Sequence, residues 1–513
     1  MALRRIPVNR LLEEQAEHLG DREMVHFLDT GERMSYRAFN RRCNQLAHGL
    51  ASLGIGAGSF VGVMLRNSIE YLLCTYALKK LGAVEVSLNV DFRGRSLVRT
   101  VNLTGSAVLI TSDEFLTPLT QVAGRLTDLK TLIMVDEPTS RVPSREHIQL
   151  RDLYSPKTHN PVGPNDDTEF AAVLFTSGST GFSKGLEVSH RYLICNATLV
   201  AEAYALGRDD CVYTPWPLHH YGAAACEVLA TILSGGRIVL RSRLSISRFW
   251  VEVRETGATW AMMMGGCQKW LSDRDPAPED RNHQLRFVWG GPFPVNRPRF
   301  EKRFGVKTGY CYGLSDIGNP CIQSLDTPEP ANSCGKVRSD LFDIRIVDDN
   351  DDEVPMGSVG EIVCRPLEPD IILKGYFGQP EYTLEAFRNL WFHTGDLGQF
   401  DEQGHLYFID RKKQVLRHSA ENILPAEIEE VINSHPAVRD CAVVGVPNEV
   451  NEHDVAVFIV CNPGASLTPE GVRSHCRGEL AHFMVPSIVR IIDEMPMTST
   501  EKPALGALLA LLS

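Results

Sequence analysis

The sequence predicts an α/β protein of several domains, and three observations carry that expectation. In the first half, segments with apolar residues at three- and four-residue spacing alternate with short β-rich apolar runs. That is the pattern of parallel sheets flanked by helices. Around residues 340–408 it changes to short strands with acidic turns (DIRIVDDNDDEVP, GEIVCRP, GHLYFID), which predicts an antiparallel or β-barrel-like subdomain. After Arg411 a helix pattern (PAEIEEVINSH) and two strand patterns (CAVVGV, VAVFIV) open a further unit. At about 100 residues it is long enough for a small domain of its own.

The elements follow in order. Residues 36–53 (YRAFNRRCNQLAHGLASL) have the spacing of an amphipathic helix, and 60–65 (FVGVML) that of a short strand. Residues 70–81 read as a second helix ended by Gly82, and AVEVSLN follows as a strand. AVLIT (107–111) and TLIMVD (131–136) are buried-strand candidates, and SPKTHNPVGPNDD (155–167) is a surface loop by composition. Neither an internal repeat nor a low-complexity tract interrupts the chain.

Length and composition bound the function. A chain of 513 residues exceeds one core, and the size prior gives about two to four domains. A formal net charge of -12 argues against bulk nucleic-acid binding. The 13 cysteines form no CxxC pair and no short Cys/His ligand cluster. Neither a zinc site nor a disulfide framework is therefore expected, and a cytoplasmic location is. No apolar run reaches the length of a membrane span, and the apolar ending ALGALLALLS is too short for one.

The most informative segment is AAVLFTSGSTGFSKGLEVSH, residues 171–190. A buried strand leads into Thr176, Ser177, Gly178, Ser179, Thr180 and Gly181, with Lys184 and Gly185 after it. Hydroxyls and backbone N–H groups in a glycine-rich loop can wrap a polyphosphate, and a lysine adds a point charge. The loop is not the P-loop, because its lysine is followed by glycine and its glycine spacing differs.

Here the chain resembles the adenylate-forming superfamily of acyl-CoA synthetases, peptide-synthetase adenylation domains and luciferases. The family loop is similar to TSGSTGxPKG, with Ser183 in place of its proline. Further stretches resemble family motifs in the same order: PLHHYG (217–222), FVWGGPFP (287–294), YCYGLSDIG (310–318), WFHTGDLG (391–398), GHLYFIDRKKQVLRHSAENILPAEIEE (404–430) and MPMTSTEKPA (495–504). The nearest likeness is to crotonobetaine/carnitine- and medium-chain-type CoA ligases.

The resemblance implies a large AMP-binding N-terminal domain of stacked α/β subdomains over 1–411. It implies a small mobile α+β C-terminal lid over 412–513, turning on a hinge at Lys413. It implies ATP, Mg2+ and coenzyme A, with Asp316 at the metal. Nucleotide contacts are implied for Thr176 to Gly181, Lys184, Gly290, Gly291, Pro292, Cys311, Tyr312, Gly313, Leu314, Ser315, Asp396, Phe408, Arg411 and Lys502. Tyr312 would stack on adenine, and Asp396 would accept both ribose hydroxyls. Lys502, His220 and Thr176 take the catalytic places. His220, Tyr221, Gly222, Gly265, Trp289, Gly290, Gly313 and Ile317 outline an acyl pocket, and Ser419, Ala420 and Glu421 the coenzyme A tunnel.

Several departures keep alternatives open. Asp316 stands for the family's glutamate, Glu501 for a glycine, and Ser419-Ala420 for a glycine pair. The basic tail after the lysine is replaced by PALGALLALLS. A carrier-protein thiol as acceptor, or a catalytically silent nucleotide-binding homologue, are the competing readings. Small residues and methionines in YGAAACE and WAMMMGG point to a bulky apolar acid. The HHYG segment lacks the aspartate that would hold an α-ammonium group, and no cage for a quaternary ammonium is evident.

Overall fold

The computed structural model describes residues 3–177, 183–290, 297–325, 329–330, 332–412, 416–419, 421–450, 452–496 and 503–512. Two eight-stranded sheets form the large lobe. The first runs, from edge to edge, through Gly375–Tyr376, Ser183–Ser189, Phe170–Ser177, Val84–Ser87, Phe60–Met64, Val108–Thr111, Thr131–Met134 and Glu146–Gln149. Its middle is parallel, as the alternation of helix and strand patterns predicts. The second has a parallel centre (Phe287–Gly290, Trp260–Met262, Cys211–Thr214, Arg237–Leu240) with an antiparallel pair at each edge.

The expected helix at 70–81 is Ile69–Leu81, and Gly82 closes it in the left-handed conformation at φ 65°. Only Glu70 and Leu81 of this helix keep partial exposure, because it lies in the core that joins the two sheets. That placement buries Lys79 and Lys80, and each meets a carboxylate: Lys79 with Glu85 at 2.6 Å, Lys80 with Glu13 at 2.9 Å. An unpaired buried charge would be strongly destabilising. The loop at 155–167 is only partly a surface feature. Its Pro164 and Asp167 are buried, and Asp167 holds the buried Arg191 at 2.6 Å.

The segment 340–408 contributes an antiparallel sheet of Phe342–Val347, Gly360–Pro366, Trp391–Phe400, Phe387–Arg388 and Leu406–Arg411. One piece departs from the expected continuous subdomain. Gly375–Tyr376 leaves it to pair with Ser183–Ser189 at the edge of the first sheet.

Residues from 416 onward pack around their own cores. A three-stranded sheet (Val438–Pro447, His453–Cys461, Ile488–Ile491) alternates its side chains between two faces. Cys441, Val443, Val455, Val457 and Ile459 face helices Pro425–Asn433 and Pro469–Glu479. Ala442, Val444, Ala456, Phe458 and Val460 face Leu508, in the C-terminal helix Leu505–Ala510. The apolar tail is thus part of the small-lobe core.

Candidate functional site

The nucleotide-side candidates come from three strands. Asp396 on Trp391–Phe400 pairs in register with Arg411, the last residue of Leu406–Arg411. Adjacent strands therefore set the two side chains together, and Arg411 Nε lies 2.9 Å from Asp396 Oδ1. Tyr312, from Lys307–Leu314, donates its hydroxyl to Asp396 Oδ2 at 3.0 Å. Burial pushes the Asp396 carboxyl up to about 6, and Arg411 only partly opposes this. The Tyr312 ring is 5% exposed and lies near-parallel to Phe408 with centroids 6.4 Å apart. A side chain at Gly313 could not fit, since a Cβ there would lie 2.3 Å from the Gly318 carbonyl oxygen. Gly290 is needed for its φ of 135°, which ends its strand beside the Met263 carbonyl. Cys311, Leu314 and Ser315 are half-buried on the same strand and its turn, and the Ser315 carbonyl accepts from Tyr192 at 2.6 Å.

The described ends of the phosphate-loop candidate belong to two paired strands. Thr176 pairs with Lys184 and Ser177 with Ser183. Lys184 is 6% exposed, and its ammonium lies 4.5 Å from the Tyr376 ring and 4.6 Å from the Tyr382 ring. Such cation–π contacts fix a lysine head without neutralising it. Tyr376 also donates to Asp316 Oδ1 at 2.6 Å. Burial raises the Asp316 pKa, opposed by that hydrogen bond and by Lys184. A half-buried carboxylate with an oxygen beyond the tyrosine contact fits Mg2+, which needs only one or two carboxylates beside phosphates and water. Neither Tyr376 nor Tyr382 stands in a motif, and only the edge pairing of Gly375–Tyr376 brings them here.

The acyl-side candidates begin at His220. Immediately after it, Gly222–Leu229 winds as a π-helix, a form frequent at functional sites. Tyr221 donates to Asn319 Oδ1 at 3.1 Å, and Asn319 in turn approaches the Cys226 sulfur at 3.2 Å. Gly222 faces Met262, and Gly265 opens the helix Gly265–Ser272. Trp289 and Ile317 are 2% and 0% exposed, so in this arrangement they are core walls without free surface. Sequence reasoning missed Glu227, fully buried under this region. It accepts from Thr214 at 2.6 Å and from the Met262 N–H at 2.9 Å, and burial raises it to about 8.

Contacts from the small lobe complete the site. A hairpin of Leu416–His418 and Glu421–Ile423 lies against the end of Phe170–Ser177. It brings Glu421 Oε1 to 2.8 Å from His220 Nε2. Burial acts to lower the His220 pKa, but the carboxylate outweighs it and the net shift is upward. Ser419 sits in the turn at φ 54°, a conformation that favours glycine. Elsewhere the lobes meet through Ser96 and Glu427 at 2.9 Å, Arg95 and Glu430 at 3.1 Å, and the Arg95 N–H and Glu479 at 3.0 Å. Burial raises Glu427 to about 7, and its bond to Ser96 only partly offsets this.

Gly178, Ser179, Thr180, Gly181, Gly291, Pro292, Lys413, Ala420 and Lys502 lie outside the described residues. Among those described, Tyr312, Asp396 and Arg411 form one cluster, Lys184 and Asp316 meet around Tyr376, and His220 joins Glu421.

Residues 12–377 match the family described as AMP-binding enzyme, and residues 427–502 match the AMP-binding enzyme C-terminal domain. Crotonobetaine/carnitine–CoA ligase of Salmonella paratyphi A is 29% identical over 515 residues, spanning 96% of this chain and 97% of that protein. The ligase of the same name from Salmonella typhimurium is 30% identical over 482 residues, 91% of each. Among solved structures, the amide bond synthetase McbA from Marinactinospora thermotolerans matches with a TM-score of 0.86 and 24% identity over 99% of each chain. The o-succinylbenzoate CoA synthetase MenE from Bacillus subtilis, solved with a product analogue, matches with a TM-score of 0.81 and 21% identity over 98% of each. At these identities the structural matches show a shared fold.

Proposed function

This chain belongs to the AMP-binding enzyme family, a family of acid–thiol ligases, and from that premise we propose that it converts an apolar carboxylic acid to its acyl-AMP with ATP and transfers the acyl group to the thiol of coenzyme A. The observation that carries the reading is the Tyr312–Asp396–Arg411 cluster beside Lys184 and Asp316. It joins a two-oxygen acceptor suited to a ribose diol to a fixed positive charge suited to phosphates.

A carboxylate is a poor acyl donor because oxide would have to leave. Linked to AMP, its leaving group becomes a stabilised phosphate monoester. The work asked of the protein is positioning and charge compensation. Lys184 and Lys502 supply positive charge at the phosphates, and Asp396 and Arg411 fix the ribose. Mg2+, held by Asp316, would supply further charge neutralisation there. Trapped between two rings, Lys184 is held before substrate arrives, which favours preorganised stabilisation.

The lobe arrangement supports a role for the second half-reaction. Ser419 and Glu421 belong to the proposed thiol tunnel, and Glu421 already reaches His220. Adenylation would require the small lobe to turn about Lys413, so that Lys502 replaces the hairpin, a hinge motion of ordinary kind. The acid is read as apolar because small residues and methionines make up YGAAACE and WAMMMGG, and Met262 faces Gly222, two residues after His220.

A second reading, a carrier-protein thiol as acceptor, is favoured by one observation. The tail that in relatives carries basic residues is here an apolar helix spent on the small-lobe core. A panel of carboxylic acids, assayed for pyrophosphate release with coenzyme A, with a phosphopantetheinylated carrier and with neither, tests both. Acid-dependent release, stimulated by coenzyme A, supports the first reading. Stimulation by the carrier alone supports the second, and absence of any acid-dependent release removes both.

A further inference from the structure

The string PLHHYG has a second histidine where the resembled motif PLFHxxG has phenylalanine. That residue, His219, is 6% exposed, and its Nε2 is buried with no hydrogen-bond partner among the described residues. Buried polar atoms are nearly always paired with protein, water or an ion, so this imidazole nitrogen is open to a water or an ion. One donor atom from each of His219, His220 and Glu421 lies within 4.8 Å of the others. The histidines come from the large lobe and Glu421 from the small-lobe hairpin.

We propose that His219, His220 and Glu421 bind a divalent first-row metal ion, zinc by their donor chemistry, and that the ion fastens the small lobe to the large one. Two imidazoles and one carboxylate form the donor set of three-ligand zinc sites with an open fourth position. Imidazole favours zinc, copper and nickel over magnesium or calcium. Metal bonds of about 2.0–2.2 Å place tetrahedral donors roughly 3.5 Å apart, so binding would open the 2.8 Å contact of His220 with Glu421 and draw in any donor that stands farther off within the 4.8 Å group. No short-range sequence pattern discloses the set, because the third donor stands 201 residues after His220.

The binding itself is independent of the proposed reaction. Its consequence rests on that reading: an ion that retains Glu421 beside His220 opposes the turn that brings in Lys502. Zinc should therefore inhibit acid-dependent pyrophosphate exchange, and restoring the family's phenylalanine should relieve the inhibition.

The test uses the full chain without a histidine tag, stripped with EDTA and titrated with zinc sulfate by calorimetry. Circular dichroism of each variant reports folding. The expected result is one zinc per chain, with affinity at least tenfold weaker in both His219→Phe and Glu421→Gln. Zinc should also slow tryptic cleavage after Arg411 or Lys412 in the wild type and not in His219→Phe. Unchanged zinc affinity in folded His219→Phe overturns the proposal, as does the lack of a one-to-one wild-type complex. If His219→Phe fails to fold, unchanged affinity in Glu421→Gln overturns it equally. Loss of binding in the variants without any zinc effect on exchange keeps the site and removes the proposed lobe rotation instead.

Discussion

On the nucleotide side, Asp396 sits 1% exposed between Tyr312 and Arg411; the paired strands of Asp396 and Arg411 set the separation of those two, and Tyr312 reaches Asp396 from a strand of the second eight-stranded sheet. On the acceptor side, His220 meets Glu421 across the lobe boundary, from a turn whose Ser419 occupies a glycine conformation. One contact is fixed by hydrogen-bonded neighbours in a sheet. The other exists only while two separately packed bodies stay docked. Nucleotide geometry should survive changes in the small lobe, whereas acceptor geometry should follow lobe position.

The largest break in this contrast comes from Lys502→Ala. We expect adenylation to fall by about 10²–10³-fold, the usual cost of one lost electrostatic donor. Thioester formation from supplied acyl-AMP should stay near the wild-type rate, and equal loss in both half-reactions would remove the assigned role. Single-turnover kinetics separates them.

Next is Asp396→Asn. Loss of a charged acceptor for the ribose should weaken ATP binding by about 1.5–3 kcal/mol, read by calorimetry. The carboxyl's folded pKa is raised to about 6 from 3.8. Its contribution to folding is therefore fully favourable below pH 3.8 and lost as pH rises through 6. Two outcomes follow. Wild-type ATP affinity should decline as pH falls below about 6, with no such decline in the variant. The variant's large lobe should melt higher than wild type at pH 8, because it no longer buries an ionised group there.

Glu427→Gln sharpens the comparison from the other side. Burial raises this carboxyl to about 7 from 4.5, opposed by Ser96, which meets it across the lobe boundary; with that burial assigned to the lobe interface, its contribution to docking is present below pH 4.5 and lost as pH rises through 7. Wild-type lobes should separate more readily at pH 8 than at pH 6. The variant should show little pH dependence and tighter docking at pH 8, by about 1–2 kcal/mol, while ATP affinity stays unchanged. Small-angle scattering with limited proteolysis reads the lobe equilibrium.

The smallest effect expected is from Ser419→Gly. Removing a left-handed non-glycine residue should relieve about 1 kcal/mol and raise the coenzyme A-dependent rate a few-fold without altering pyrophosphate exchange. A matching change in exchange would mean that the turn serves both half-reactions.

Much of the fold was legible because periodicity and glycine punctuation act locally. The helix ended by Gly82 and the strands at 60–64, 84–87, 108–111 and 131–134 follow directly from residue spacing. The cluster of Asp396 and Arg411 was foreshadowed by motif order, and strand register explains it. Other features depended on long-range packing. Tyr376 and Tyr382 reach Lys184 only because a two-residue strand crosses from one sheet to another. The tail ALGALLALLS gave no sign of its docking face, which depends on the alternation of the strands Val438–Pro447 and His453–Cys461, far back in the chain. His219 was visible as a departure from PLFH, but its missing hydrogen-bond partner was not.

The most direct test of the account is a crystal structure of the full chain with a non-hydrolysable ATP analogue. The account predicts both ribose hydroxyls on Asp396, the adenine against Tyr312, and the phosphates beside Lys184, whatever position the small lobe adopts. A nucleotide bound elsewhere, with Asp396 still closed against Tyr312 and Arg411, would contradict it.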